Sequence, residues 1–272
     1  RGCFFCMKKT NPIGIFDSGI GGLTVGHQLS KLMPNEQIVY FGDTKHLPYG
    51  DKSEEAIKSY SKKITKFLIE QECKMIVIAC NTASALAFNE VKECCNKLAI
   101  TLNVIDPVVA YTCKSEAKIV GVIGTKNTIT SNVYDLKLRK LNPKLKTASL
   151  ATPLLVPMIE EGFYEDKISS SIIANYLENK QLKDIDHLIL GCTHYPLIED
   201  DINKFYKTKV TIINSAKIVA KFVEKTLSDR NLLARDPSTK SHAFFVSDYT
   251  KSFEQSAQHF FGARISLTKI VL

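Results

Sequence analysis

Met75-Ile-Val-Ile-Ala-Cys80-Asn-Thr-Ala-Ser84 is a short apolar run that ends in a cysteine and passes at once into helix-starting residues. Its length and content suit a strand buried on both faces, and the Asn, Thr and Ser that follow favour a helix N-terminus. The figure recurs: Ile76-Val-Ile-Ala-Cys80-Asn-Thr resembles Leu188-Ile-Leu-Gly-Cys192-Thr-His. A second pair accompanies it, since Gly14-Ile-Phe-Asp-Ser18 resembles Gly121-Val-Ile-Gly-Thr125. The offsets, 112 residues between Cys80 and Cys192 and 107 between Asp17 and Gly124, make this a weak internal repeat.

Outward from the repeat, β-rich runs alternate with helical patterns. Ile13–Phe16, Gln37–Phe41, Met75–Ala79, Leu102–Ile105, Lys118–Ile123, His187–Leu190 and Val210–Ile213 read as buried strands, and a helix–strand pair follows His242-Ala-Phe-Phe-Val246. Helical patterns occupy 22–33, 53–72 and 82–99. In the second, Ile57, Tyr60, Ile64, Phe67 and Leu68 form one apolar stripe, with Ser53 as N-cap. This alternation predicts an α/β protein with parallel sheets. With the repeat, it predicts two similar doubly wound domains related by a pseudo-twofold, with the active site in the cleft. The first domain takes 7–104 plus 215–272 and the second takes 105–214; residues 1–6 read as a cloning-derived or disordered extension. Ligands of such sheets bind outside the carboxyl ends of the strands, which puts the two cysteines around one ligand.

Composition narrows the function classes. Of 272 residues, 44% are hydrophobic and 24% charged, an ordinary globular balance. No apolar run approaches the roughly 20 residues of a membrane span, and no leader opens the chain, so the expectation is a cytoplasmic protein. The net charge of +8, from 36 Lys and Arg against 28 Asp and Glu, is spread along the chain. Lys58, Lys62, Lys63 and Lys66 read as the solvated face of one helix, and no direct nucleic-acid partner is expected. The eight cysteines show no disulfide framework, and Cys3-Phe-Phe-Cys6 has no second half to make a zinc site. No metal is expected.

A lone cysteine after a buried strand is ordinarily a core filler. Two at matching points of a repeat, each followed by polar residues, point to chemistry, and the helix start after each is expected to favour thiolate. Dithiol redox chemistry wants the pair close in sequence, and a single-nucleophile hydrolase has no use for a second thiol. A two-base proton transfer uses both, one thiol on each face of a carbon, which makes a racemase or epimerase. Asp17-Ser18-Gly19-Ile-Gly21-Gly22 reads as a turn that caps a helix and accepts a small anion, with Asp17 facing the ligand. His194 is placed to polarise Cys192. Glu160 alone reads as a helix-end carboxylate.

Together, Ile13-Gly-Ile-Phe-Asp-Ser-Gly-Ile-Gly-Gly-Leu-Thr24, Tyr40-Phe-Gly-Asp-Thr-Lys-His-Leu-Pro-Tyr-Gly50, Ala79-Cys-Asn-Thr-Ala-Ser84 and Gly191-Cys-Thr-His-Tyr-Pro-Leu197 resemble the glutamate racemase family. The resemblance runs from about residue 13 to Gly262. It implies cofactor-independent interconversion of L- and D-glutamate, supplying D-glutamate for peptidoglycan, by a homodimer. It implies Cys80 as the base for D-glutamate and Cys192 as the base for L-glutamate. Asp17, His194 and Glu160 match auxiliary acid–base positions, and substrate contacts carry over onto Asp17, Ser18, Tyr49, Gly50, Asn81, Thr82, Thr193 and His194. Hydroxyls of Ser18, Thr82 and Thr193 suit a substrate carboxylate, and the repeat adds Thr125 as the mirror of Ser18. The alternatives are a racemase of aspartate or a related acid, a DNA gyrase-binding regulator, and a redox switch between Cys80 and Cys192.

Overall fold

The computed structural model describes residues 7–164 and 167–272; Cys3 and Cys6 lie outside them. Among the described residues ten strands form two parallel sheets: β1 Ile13–Asp17, β2 Ile38–Gly42, β3 Met75–Ile78, β4 Ile100–Asn103, β5 Ile119–Gly124, β6 Lys146–Ala151, β7 His187–Gly191, β8 Thr211–Ile213, β9 Ala243–Val246 and β10 Leu267–Lys269. The order is β10-β9-β2-β1-β3-β4 in one sheet and β6-β5-β7-β8 in the other. Every pairing is parallel.

The segment β2-β1-β3-β4 has the same order as β6-β5-β7-β8, so the repeat read from sequence equates β1 with β5 and β3 with β7. In this order the chain reverses its winding direction between β1 and β3, and between β5 and β7. That opens a crevice at the carboxyl end of each central pair. Asp17 and Cys80 leave one such pair, and Thr125 and Cys192 leave the other.

Local sequence explains the supporting helices. Ser53 caps Glu54–Glu70 by accepting a hydrogen bond from Ala56 N–H at 3.2 Å, and the expected stripe buries Ile57, Ile64, Phe67 and Leu68. Lys62, Lys63 and Lys66 are exposed, and Lys58 pairs with Glu54 and Glu90 at 2.8 Å. Leu23–Leu32 packs against Ser215–Asp229 and Lys251–Phe261, which carries the chain's end back onto the six-stranded sheet. No helix among the described residues is long and apolar enough to cross a membrane.

Two sequence expectations need correction, and one strand lies outside the runs read from sequence. The pattern over 82–99 is two helices, Asn81–Leu86 and Phe88–Cys95, because Ala87 leaves helical geometry at φ −125°. The strand expected at Leu102–Ile105 is β4 at Ile100–Asn103. Asn103 Oδ1 then accepts from Ile105 and Asp106 N–H at 2.9 and 2.8 Å and starts the helix Ile105–Thr112. Finally, β6 has no apolar run: it is an edge strand with both faces half-exposed, so Lys146-Thr-Ala-Ser-Leu-Ala151 lacks the buried pattern that marks its neighbours.

At the opposite end of the six-stranded sheet, Lys74 is fully buried. Its Nζ donates to Glu36 Oε2 at 2.6 Å, Lys9 O at 2.5 Å and Leu232 O at 3.0 Å, while Glu36 Oε1 accepts from Ala234 N–H at 2.8 Å. The pair fastens the returning chain to the sheet. Glu36→Leu strands a buried ammonium and is expected to cost about 3–5 kcal/mol in urea unfolding, with part recovered by adding Lys74→Met. An unchanged midpoint for the single variant would refute this role.

Candidate active site

Cys80 follows β3 and caps Asn81–Leu86, its Sγ accepting from Ala83 N–H at 3.5 Å. Its thiol also reaches Ser18 Oγ at 3.6 Å, across the first crevice. Cys192 follows β7, with Sγ 3.6 Å from His194 Nδ1, and Glu160 Oε1 lies 2.9 Å from His194 Nε2. A relay of carboxylate, imidazole and thiol therefore stands on one side. Cys80 is 5% exposed and Cys192 6%, and Asp17, Tyr49, Asn81, Thr82, Thr193 and His194 are buried with them.

The two halves interlock around this space. Thr24 Oγ1 donates to Thr193 O at 3.0 Å, and Thr82 Oγ1 lies 2.9 Å from Thr125 Oγ1 and 3.2 Å from Thr128 Oγ1. Tyr134 OH donates to Asn81 Oδ1 at 2.7 Å, and Asn127 Nδ2 donates to Tyr49 O at 2.9 Å. Gly21 permits the closest approach. A Cβ there would sit 2.5 Å from His194 Nδ1 and Cε1 and 2.7 Å from Thr193 Oγ1. Phe260 packs edge-on against the His194 ring at 5.3 Å, so the ring is confined as well as bonded.

In the turn after β1, two N–H groups are occupied from within: Asp17 Oδ2 accepts from Gly22 N–H at 2.9 Å and Gly19 N–H at 3.3 Å. Asp17 Oδ1 and Asn81 Nδ2 are buried without a protein hydrogen-bond partner. Buried polar atoms are normally satisfied, so an unpaired acceptor and an unpaired donor at one site fit a ligand that carries both a cation and an acceptor.

Charge and burial set the titrations. Burial raises the Asp17 pKa, against lowering by His194 and the backbone N–H groups of the turn. Burial also pushes the Cys80 thiol up to about 12, reinforced by the negative charge of Asp17 and only partly opposed by Ala83 N–H and Ser18. The expected helix-start activation of Cys80 is thus reversed: the following helix is six residues long, and dehydration outweighs its dipole. His194 moves the other way. Burial disfavours its cation, but hydrogen bonds and charge from Cys192 and Glu160 prevail and hold its pKa well above the ordinary value.

The structure brings together all the residues picked from sequence at these two crevices. Ser18 lies against Cys80, and Thr125 lies against Thr82. Thr125 caps Lys126–Thr130, which places it at the second crevice as the repeat requires. Sequence reasoning missed Thr24, Asn127, Thr128 and Tyr134. Each acts from another element on a backbone or side-chain group of the site; Thr24 closes the motif after β1 but carried no role there, and the other three lie outside the strand-end motifs.

Two crevices lined by thiols, an imidazole and carboxylates, on facing parallel sheets, define an α/β racemase. Residues 24–223 match the family model for Asp/Glu/Hydantoin racemase. The glutamate racemase of Chlorobaculum parvum is 38% identical over 267 residues, 97% of either chain. The crystal structure of a glutamate racemase isoform from Bacillus anthracis matches with a TM-score of 0.91 at 37% identity, covering 97% of this chain and 98% of that one. That of glutamate racemase from Francisella tularensis in complex with D-glutamate matches with a TM-score of 0.89 at 39% identity, covering 96% and 98%. The chain belongs to the glutamate racemase family.

Two outcomes follow from the geometry. Gly21→Ala is expected to lower kcat/KM by at least about tenfold with little loss of folding stability, because its methyl meets the His194 ring and holds the halves apart; an unaffected kcat/KM would refute the close approach. The thiolate absorbance of Cys80, isolated by subtracting Cys80→Ala, is expected to emerge only far above neutral pH. Asp17→Asn removes the charge that raises it and should move that emergence to lower pH; no movement, or an upward one, would refute the coupling.

Proposed function

We propose that the protein interconverts L- and D-glutamate without a cofactor, by proton transfer between Cys80 and Cys192 on opposite faces of Cα. The observation that carries this is the pair of buried sulfurs at the carboxyl ends of the equivalent strands β3 and β7, Cys192 beside the His194 imidazole and Cys80 beside the Ser18 hydroxyl. From D-glutamate, the Cys80 thiolate takes the Cα proton: the S–H bond forms, the C–H bond breaks, and the electron pair passes into the carboxylate-stabilised carbanion. The Cys192 thiol then gives its proton to the other face and is left as thiolate. From L-glutamate the roles reverse.

Each further residue has a physical part. Asp17 faces the substrate ammonium, whose charge compensates the buried carboxylate. The hydroxyls of Ser18, Thr82, Thr125 and Thr193 hold carboxylate oxygens, and such fixed dipoles stabilise carbanion charge without reorganising. Tyr49 and Gly50 contribute backbone groups, and the Asn81 amide supplies a donor. Glu160 orients His194, which supplies or takes the Cys192 proton. Because these side chains are buried, substrate passes only when the two halves part, about the crossovers near 104 and 215 that divide 7–104 plus 215–272 from 105–214. Glutamate is favoured over aspartate by the relatives: an aspartate racemase homologue from Pyrococcus horikoshii shares the fold at 21% identity and a TM-score of 0.58, against 37–39% for the glutamate racemases above. The setting is a cytoplasmic homodimer that provides D-glutamate for peptidoglycan.

Circular dichroism of pure L-glutamate, then of pure D-glutamate, tests the reading with purified protein and no additive. Both signals are expected to decay to zero. Cys80→Ala and Cys192→Ala should each stay folded and lose about 10²–10⁴-fold in turnover, the usual worth of a positioned acid or base. Wild-type turnover in either variant would refute the two-base assignment; racemisation of aspartate alone would refute the substrate.

A further inference from the structure

Asp43 is a buried carboxylate that the proton transfer does not use, at the end of β2 in the motif Tyr40-Phe-Gly-Asp-Thr-Lys-His-Leu-Pro-Tyr-Gly50. Three side chains converge on its two oxygens. Tyr49 OH donates to Oδ2 at 2.6 Å, Ser247 Oγ donates to Oδ1 at 2.7 Å, and His46 Nδ1 lies 2.8 and 3.0 Å from the pair. The His46 ring is in turn stacked on Tyr60, 4.1 Å away and nearly parallel.

These donors come from places that must move as one for the loop to keep its shape. His46 and Tyr49 are the middle and the far end of the loop that leaves β2. Ser247 directly follows β9, the neighbouring strand. The base of the loop is fastened to the same strand end, because Lys45 N–H donates to Ser247 Oγ at 2.9 Å and Thr44 Oγ1 donates to Asp248 O at 2.5 Å. The Tyr49 hydroxyl is therefore taken up by Asp43, which leaves its backbone, together with that of Gly50, to the site. On the other side, Asn127 Nδ2 holds Tyr49 O, and a Cβ at Gly50 would meet Thr125 Cβ at 2.9 Å. The Asn127 and Thr125 contacts belong to the four-stranded half and break whenever the halves part. The Asp43 contacts lie wholly within the six-stranded half and persist.

We propose that Asp43 is a positioning residue for substrate binding: through Tyr49, His46 and Ser247 it holds the Tyr49–Gly50 backbone in its binding shape while the site is open. This rests on the racemase reading for its kinetic consequence, but its structural half can be read without any substrate. A charged acceptor serving three donors is stronger than a neutral one, and an asparagine in its place turns one acceptor into a donor. Asp43 touches no reacting atom, so its loss weakens binding of substrate and transition state alike, which raises KM and spares kcat.

The test compares Asp43→Asn, Tyr49→Phe and the double variant with wild type, by amide hydrogen exchange and by racemisation kinetics. Faster exchange confined to residues 44–51 is expected in each single variant, with KM for glutamate raised at least fivefold and kcat changed less than twofold. The double variant should be little worse than Asp43→Asn, because both substitutions break the same link. Should Asp43→Asn fail to fold, Ser247→Ala removes one donor and should give the same pattern at smaller amplitude. Unchanged exchange in the loop overturns the proposal whatever the kinetics, and faster exchange with unchanged KM overturns its functional half. A wild-type protein that leaves glutamate unchanged would defeat the racemase reading instead, and exchange would still decide whether Asp43 holds the loop.

Discussion

The Asp17 carboxylate, buried at the end of β1 with one oxygen bonded to its own turn and the other unpaired, is the constraint around which the site is organised. An isolated charge out of water is expensive unless something pairs with it or its pKa moves. Here both responses operate: burial raises the Asp17 pKa, and His194 on the other half pulls it back. The same charge adds to the burial that raises the Cys80 thiol's pKa. One carboxylate thus couples the two halves, biases one sulfur and fits a cation as its missing partner. An amino acid brings that cation attached to the carbon that reacts.

Closure and chemistry are therefore linked by electrostatics as well as by shape. The contacts that seal the space are Thr24 to Thr193, Tyr134 to Asn81 and the Thr82, Thr125 and Thr128 hydroxyls; in the proposed mechanism Thr82, Thr125 and Thr193 also hold the substrate carboxylate. Hydroxyls suit this double duty because each can donate or accept by rotating. Excluding water strengthens every interaction inside, and it protects a carbanion from stray protonation that would bypass the second thiol.

Much of this was legible in the chain. The cysteine repeat found the carboxyl ends of β3 and β7, because both are central strands of parallel sheets and read as buried apolar runs. The motifs after β1, β2, β3 and β7 placed Asp17, Tyr49, Thr82 and His194 at strand ends for the same reason. Other features depend on three-dimensional neighbours that periodicity does not encode. Glu160 meets His194 from 34 residues away. Asn127, Thr128 and Tyr134 act across the interface. The edge strand β6 hides because neither face is fully buried, and the break at Ala87 is a matter of backbone geometry in a sequence with good helix formers on both sides. The Cys80 thiol was misread for an instructive reason: a helix start is visible in sequence, whereas the depth of burial that overrides it is not.

That misreading bears on how the thiols work. A sulfur held protonated by dehydration and by a neighbouring carboxylate is a poor base in the ligand-free protein, but once deprotonated it is a stronger base than a solvent-exposed thiolate. Removing a proton from Cα, a weak acid, needs that strength. In the proposed mechanism a substrate ammonium against Asp17 would cancel the charge that opposes ionisation of Cys80, so the base would be made where and when the carbon acid is in place. On the other side the hydrogen bonds and charge of Cys192 and Glu160 outweigh burial and hold the His194 pKa above its ordinary value, so a proton-carrying imidazole stands beside the second sulfur. The two sulfurs begin in unlike environments, as a reaction needs if one must take a proton while the other gives one. Reversal requires only that the proton's position relative to the two sulfurs be exchanged, and the buried charges that flank them stay fixed throughout.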